Sequence, residues 1–203
     1  MSRPRTITDR ELLSAAKGVF LKQGVHAPVS SVARKLGVSV GALFFRMKSK
    51  RQLLLRSLLP PFPPLEVTLL AQEMPTQANA LVRLRELLTG LCTFLQEALP
   101  GFFLLHTAGV LPMQKHSSET MDVVMRNALA AWLSRSQRRG FLLAARPAAR
   151  ADAIIGAMEA RFLHAYLLKR SYSRAQNVAF IEGLLAAVVT VPPRQSGRSP
   201  EHG

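Results

Sequence analysis

Residues 29–47 read VSSVARKLGVSVGALFFRM. Apolar residues recur three and four positions apart on both sides of Gly37, which is the spacing of two short amphipathic helices. Gly37 permits a tight turn because glycine tolerates a left-handed backbone, and Ser39 can cap the second helix. Helix, turn and capped helix together predict a helix-turn-helix, which places its second helix in the major groove of DNA. An ordinary helical hairpin has the same kind of turn and is the alternative.

The chain around this stretch is strongly basic. Residues 1–58 contain twelve Lys or Arg and two acidic residues, and the 203-residue chain has a formal net charge of +15. A basic region of this kind is typical of a module that binds a polyanion. A solvated basic face without a partner is the alternative, but next to the predicted helix-turn-helix the charge favours DNA binding.

The helical pattern continues in both directions, and no alternating strand pattern occurs. A capping box at Thr8–Glu11 precedes a first helix that ends at Gly24, and a second box at Ser49–Gln52 opens a helix that runs through Leu59. The prolines within residues 60–64 end that helix. Beyond them we expect helices over about 65–72, 76–98, 99–109, 117–138, 147–170 and 174–190, the last opened by a box at Ser173–Gln176.

These patterns predict an all-α protein of about nine helices. We expect a three-helix helix-turn-helix domain in residues 1–59, a larger helical domain in residues 65–191 and a disordered tail in residues 192–203. The polar N-terminus has no apolar signal core, and charges and prolines interrupt every long apolar stretch. We therefore expect a cytoplasmic protein without a membrane span.

The run from Ile7 to Leu54 resembles the N-terminal domain of TetR/AcrR-type bacterial transcriptional regulators. The matching residues are Ala16, Phe20, Gly24, Val32, Ala33, Gly37, Val38, Ser39, Gly41, Leu43, Phe44, Arg46, Met47, Lys50 and Leu53. The chain departs from the family where Phe44 replaces a Tyr whose hydroxyl touches a phosphate, and where Arg46 replaces a His. The resemblance implies a homodimeric DNA-binding regulator whose C-terminal domain holds a ligand pocket and joins two subunits through its last two helices.

The candidate DNA contacts lie on the second helix of the motif and on the turn after it. Lys50 and Arg51 fall in the first turn of a helix, where cations oppose the helix dipole unless a phosphate docks there. Phe45 either touches thymine methyl groups or packs against the first helix, and the arm with Arg3 and Arg5 could reach a phosphate or the minor groove. The full candidate set is Ser39, Val40, Ala42, Phe44, Phe45, Arg46, Lys48, Lys50 and Arg51.

The larger helical part has no enzyme signature. It lacks a phosphate-binding loop and a Gly-x-Ser-x-Gly motif, and its histidines show no metal-ligand spacing, so we expect no catalytic residue, cofactor or metal. Large flexible side chains on neighbouring predicted helices could surround an apolar or amphipathic ligand. Plain core packing is the alternative. The candidate ligand residues are Phe102, Phe103, His106, Met121, Met125, Trp132 and Phe162.

The last two predicted helices carry more apolar and small residues than one partner helix would cover. The candidate dimer residues are Ala153, Ala157, Ala160, Ile181, Leu184, Leu185 and Val188. We therefore expect a one-component repressor that binds a palindromic operator on double-stranded DNA as a homodimer and releases it when a small effector binds. The alternative is a constitutive dimeric DNA-binding protein without an inducer, in nucleoid organisation or division.

Overall fold

The computed structural model describes residues 7–76, 79–111, 120–142 and 146–189, and all its regular structure is helical. This confirms the all-α prediction. The helices in the described residues are α1 (Asp9–Gln23), α2 (Val29–Leu36), α3 (Val40–Met47), α4 (Lys50–Leu58), α5 (Leu65–Gln72), α6 (Ala80–Thr107), α7 (Met121–Arg138), α8 (Pro147–Leu167) and α9 (Arg174–Val188). The arm with Arg3 and Arg5 and the predicted tail 192–203 lie outside the described residues.

Local capping signals place several helix starts where the sequence predicts them. The Thr8 hydroxyl accepts from the Glu11 N–H at 3.2 Å, and the Glu11 carboxylate accepts from the Thr8 N–H at 2.9 Å. Ser173 and Gln176 form the same reciprocal pair at the start of α9. At α4 the Ser49 hydroxyl accepts from the Gln52 N–H at 3.1 Å, which is one half of a box. Each bond satisfies a helix donor that has no intrahelical partner.

A single apolar core holds α1 to α4 together. Phe20, Val32, Leu43 and Leu53 have 2% or less of their surface exposed. Leu105 of α6 belongs to the same core cluster. Burial of this kind is the main favourable term in folding, and it holds the helix-turn-helix as a rigid unit.

Helix α6 differs from the prediction. We expected separate helices over 76–98 and 99–109, but the structure has one helix, Ala80–Thr107, with Pro100 inside it. Proline lacks the N–H that would bond four residues back and normally breaks a helix. Here Leu95, Leu99 and Leu105 are buried on both sides of it, so tertiary packing outweighs the local cost.

Helix α6 is also long and apolar enough to cross a membrane by length and composition alone, with a mean hydropathy of 1.4 in its most apolar window. The core helix of a globular protein passes the same test. Leu84, Leu88, Leu91 and Leu95 are fully buried within the protein, as the residues of a core helix are.

The chain divides into two compact units. The first unit comprises Met1–Phe62, Thr93–Ser117 and Glu159–Ser171, and the second comprises Pro63–Cys92, Ser118–Met158 and Tyr172–Gly203. In the first unit α1 packs against α2 and α4, and in the second α5 packs against α7. The first unit therefore contains the helix-turn-helix together with later segments of the chain. The simpler boundaries 1–59 and 65–191 remain a prediction about which parts fold as domains.

Candidate nucleic-acid interface

The turn between α2 and α3 has the geometry of a helix-turn-helix. Gly37 ends α2 in the left-handed region, with φ at 69°, where an L side chain would be strained. The Val38 N–H donates to the Ala33 carbonyl at 3.1 Å. The Ser39 hydroxyl then accepts from the Ala42 N–H at 3.1 Å and starts α3. The glycine turn and the serine cap both depend on hydrogen bonds between residues close in the chain, so the sequence predicts them.

Helix α3 has one buried face and one exposed face. Leu43 and Met47 have 2% and 1% of their surface exposed and hold the helix on the core. Ser39, Ala42 and Phe44 are exposed and Val40 is half-buried. Phe45 is 91% exposed, so it does not pack against α1. The exposed face is therefore largely apolar, as the face of a helix that touches thymine methyl groups would be.

Three basic side chains follow this face at the junction of α3 and α4. Lys48 has φ at 55°, an uncommon value for a residue other than glycine, and Ser49 caps α4 directly after it. Lys48 and Arg51 are exposed and Lys50 is half-buried. None of the three forms an ion pair with a described residue. Cations collected at a helix N-terminus without acidic partners are unfavourable in the free protein and favour a bound anion.

Arg46 has a different environment from these cations. Its Nε lies 3.6 Å from Asp9 Oδ1, and one of its Nη atoms donates to the Ile7 carbonyl. Arg56 of α4 contacts the other oxygen of Asp9 at 3.4 Å. Asp9 thereby links the start of α1 to α3 and α4. The ion pairs of Asp9 were not predicted from the sequence, because their partners are about 40 residues away in the chain.

The candidate ligand residues fall into two groups. In the first unit the Phe102 and His106 rings stack at 6.1 Å, the Phe102 and Phe103 rings meet edge to face at 5.9 Å, and Phe162 is buried. In the second unit Met125 and Trp132 are fully buried and Met121 is half-buried. Within each group the side chains are packed in the protein, so their role toward a ligand stays a prediction.

The candidate dimer residues also divide. Ile181 and Leu185 have 0% and 3% of their surface exposed and pack inside the protomer itself. They are therefore not available to a second subunit, since part of the wide apolar surface of α9 serves the protomer's own core. Ala153 and Ala160 are exposed, whereas Ala157, Leu184 and Val188 are half-buried. These five residues remain the predicted interface.

One polar feature of the second unit escaped the sequence analysis. Trp132 Nε1, Arg135 Nε and Ser136 Oγ of α7 are buried without a hydrogen-bond partner among the described residues. Burial, and to a lesser degree the charge of Arg138, lowers the pKa of Arg135 from its ordinary value. The sequence contains a signal for this feature: Arg135 and Ser136 follow three and four residues after Trp132, the single tryptophan of the chain.

No cluster of three His, Cys, Asp or Glu in the described part of the chain could hold a metal ion.

Comparisons with known proteins agree with this geometry. Residues 12–56 match the family described as bacterial regulatory proteins, tetR family. Among solved structures, the chain is similar to one described as the molecular basis for control of antibiotic production by a bacterial hormone, with a TM-score of 0.58, 20% identity, and coverage of 92% of this chain and 100% of the other. A search of curated proteins found no match.

Two further structures share the fold. The SmeT–triclosan complex has a TM-score of 0.55 and 19% identity, with coverage of 94% of this chain and 97% of the other. NalD of Pseudomonas aeruginosa, the secondary repressor of the MexAB-OprM multidrug efflux pump, has a TM-score of 0.55 and 18% identity, with coverage of 88% and 93%. At these identities the likeness concerns the fold of the chain.

Proposed function

We propose that this chain, which carries the helix-turn-helix of the tetR family within a TetR-like fold, is a cytoplasmic transcriptional repressor. It binds a palindromic operator as a homodimer and releases the DNA when a small ligand binds. The observation that carries the proposal is the exposed apolar face of α3 beside three cations that have no acidic partner in the described part of the chain.

The DNA-binding step uses two kinds of contact. Lys48, Lys50 and Arg51 neutralise phosphates and set the position of α3 on the duplex, whereas Phe45 and Ala42 touch base edges in the major groove. Arg46 contributes through Asp9, since its ion pair with that residue holds α3 against α1. Most of the affinity is then electrostatic and depends on salt, and most of the sequence preference is apolar.

A homodimer would place two copies of α3 about 34–36 Å apart, which is one turn of DNA and calls for a palindromic site. The small residues Ala153 and Ala157 of α8 and the half-buried Leu184 and Val188 of α9 form the proposed contact surface. An alanine allows the close approach of a neighbouring helix, and the larger side chains bury apolar area.

Two structures that share the fold support the ligand step. One is a complex with triclosan, and another is the repressor of a multidrug efflux pump. A ligand releases DNA only if it binds the arrangement that does not bind DNA more tightly than the one that does. The complete burial of Trp132 and Met125 favours the constitutive alternative without an inducer; the unpaired polar atoms of α7 favour a ligand.

The DNA-binding part is tested by footprinting the full chain on the DNA upstream of its own gene. A protected palindrome is expected. Lys50→Ala should weaken binding to every sequence and lower the slope of log affinity against log salt by about one unit for each phosphate that is no longer neutralised. Arg174→Ala is the matched control, because it removes the same charge from an exposed position of α9. Equal salt slopes for the two variants would contradict the assignment of Lys50.

A further inference from the structure

Three buried polar atoms of α7 have no hydrogen-bond partner among the described residues. They are Trp132 Nε1, Arg135 Nε and Ser136 Oγ. Residues three and four apart are neighbours on the surface of a helix, so Arg135 and Ser136 each lie next to Trp132. Trp132 and Ser136 are fully buried. Native proteins leave few buried polar groups unsatisfied, and each exception requires an explanation.

Arg135 adds a positive charge beside Trp132. Its Nη2 donates to the Leu70 carbonyl of α5, which satisfies one donor but does not neutralise the guanidinium. None of the acidic residues that the structure describes forms an ion pair with Arg135. The acidic residues of the second unit that do form ion pairs have other partners: Glu73 and Glu86 with Arg83, Asp122 and Asp152 with Arg126, and Glu182 with Arg85.

A second arginine lies close enough to Arg135 to act on its charge. Burial and the neighbouring Arg138 both lower the pKa of Arg135, which means that they disfavour its charged form. An anion beside the guanidinium would remove this penalty, because it pairs the charge and replaces the hydration that burial removes. A buried water would satisfy a donor but would leave the charge unpaired.

The chemistry of the three groups specifies the partner. The indole N–H and the guanidinium Nε–H can only donate, and the serine hydroxyl can donate as well. Met125, Leu129 and Leu133 of α7 are fully buried. Met125 and Leu129 lie on the same side of the helix as Trp132 and Ser136, so the surroundings of these two groups are apolar. Three donors, one positive charge and an apolar wall fit a monoanion with an apolar body.

We propose that α7 binds the carboxylate of a small amphipathic organic acid, whose oxygens accept hydrogen bonds from Trp132, Arg135 and Ser136. This inference rests on the proposed function and specifies the chemical class of its effector.

The experiment uses the fluorescence of Trp132, the only tryptophan of the chain. The full-length protein is titrated with octanoate and with cyclohexanecarboxylate, and in parallel with the methyl ester of each acid and with inorganic phosphate. We expect a saturable change with at least one acid, binding at least roughly tenfold weaker with its ester, and no saturable change with phosphate.

Variants assign the effect to Arg135. Arg135→Met keeps a flexible apolar stem and removes the guanidinium with its charge, and should weaken acid binding roughly 10- to 100-fold. Arg135→Lys should retain part of the affinity, which a merely structural role of the arginine would not predict. Ser136→Ala removes one donor with little change in volume and serves as a second test if Arg135→Met does not fold. Arg174→Ala should bind the acids as the unchanged protein does.

The outcomes separate this inference from the proposed function. Equal binding of an acid and its ester, no saturable signal from either acid, or acid binding that both Arg135→Met and Ser136→Ala leave unchanged would overturn the carboxylate site. Mobility shifts of the ligand-free protein on its upstream DNA are measured alongside. DNA binding without acid binding contradicts only the site, whereas acid binding that depends on Arg135 without any DNA binding contradicts only the proposed function.

Discussion

Gly101 allows the part of α6 that belongs to the first unit to meet the end of α4 at backbone distance, and this close approach offers a sharp test. A Cβ built on Gly101 of α6 would lie 2.8 Å from the Leu58 carbonyl carbon and 3.0 Å from the Leu58 Cβ, and closer still to the carbonyl oxygen at the end of α4. Carbon atoms in contact prefer about 3.5–4.0 Å. Gly101→Ala would therefore push α4 and α6 apart by about half an ångström or more.

The magnitude follows from two opposing effects. Overpacking in a well-packed core costs about 1–3 kcal/mol, and the upper end applies because the obstacle is backbone that cannot rotate away. Alanine has a helix propensity better than that of glycine by about 1 kcal/mol. We expect the free energy of unfolding of Gly101→Ala to fall by about 2 kcal/mol.

Two matched substitutions isolate this effect. At Gly183 of α9 nothing lies within 4 Å of an added Cβ, so Gly183→Ala should gain up to about 1 kcal/mol. At Gly90 the added Cβ would lie 2.7 Å from the Cγ of Glu66, a flexible side chain that can move, so Gly90→Ala should change stability little.

The measurement is urea unfolding of the three variants at one protomer concentration, since the stability of the proposed dimer would depend on concentration. Gly101→Ala should have the lowest midpoint with an unchanged slope. DNA affinity should fall with it, because α4 carries the candidate phosphate contacts at its other end. A Gly101→Ala protein as stable as Gly183→Ala would refute the close approach of α6 to α4.

Three other substitutions test separate parts of the molecule. Phe45→Ala should reduce discrimination between operator and random DNA by about 1–3 kcal/mol in competition assays. Its free energy of unfolding should change by less than about 0.5 kcal/mol, and a large drop would mean that the ring is buried. Lys48→Gly should raise the free energy of unfolding, measured in urea, by about 1 kcal/mol, because glycine relieves the backbone strain of a side chain at positive φ. The same substitution should weaken DNA binding, and an unchanged DNA affinity would show that Lys48 is not part of the interface. Leu184→Glu should dissociate the proposed dimer, whereas Ala186→Glu on the opposite side of α9 should not. Sedimentation measures the mass of each assembly, and the same mass for both variants would place the interface elsewhere.

The helix-turn-helix was predictable because its signals are local. Thr8, Ser39 and Ser173 bond to the backbone three residues on, and Gly37 adopts the left-handed turn itself. Such bonds need no information from distant parts of the chain. The exposed face of α3 follows too, since Leu43 and Met47 are spaced to bury the other face.

The tertiary structure decides which neighbour covers each face of a helix, and the sequence pattern does not show this. Periodicity marks α9 as apolar, but it could not tell that Ile181 and Leu185 pack inside the protomer. Pro100 is a local signal for a break, yet packing on both sides of it keeps α6 continuous. Arg135 looks like any arginine in the sequence, and its hydrogen bond to the Leu70 carbonyl is visible only once α5 and α7 are in place. In each case the deciding free energy comes from contacts between residues that are far apart in the chain, and local propensity does not contain it.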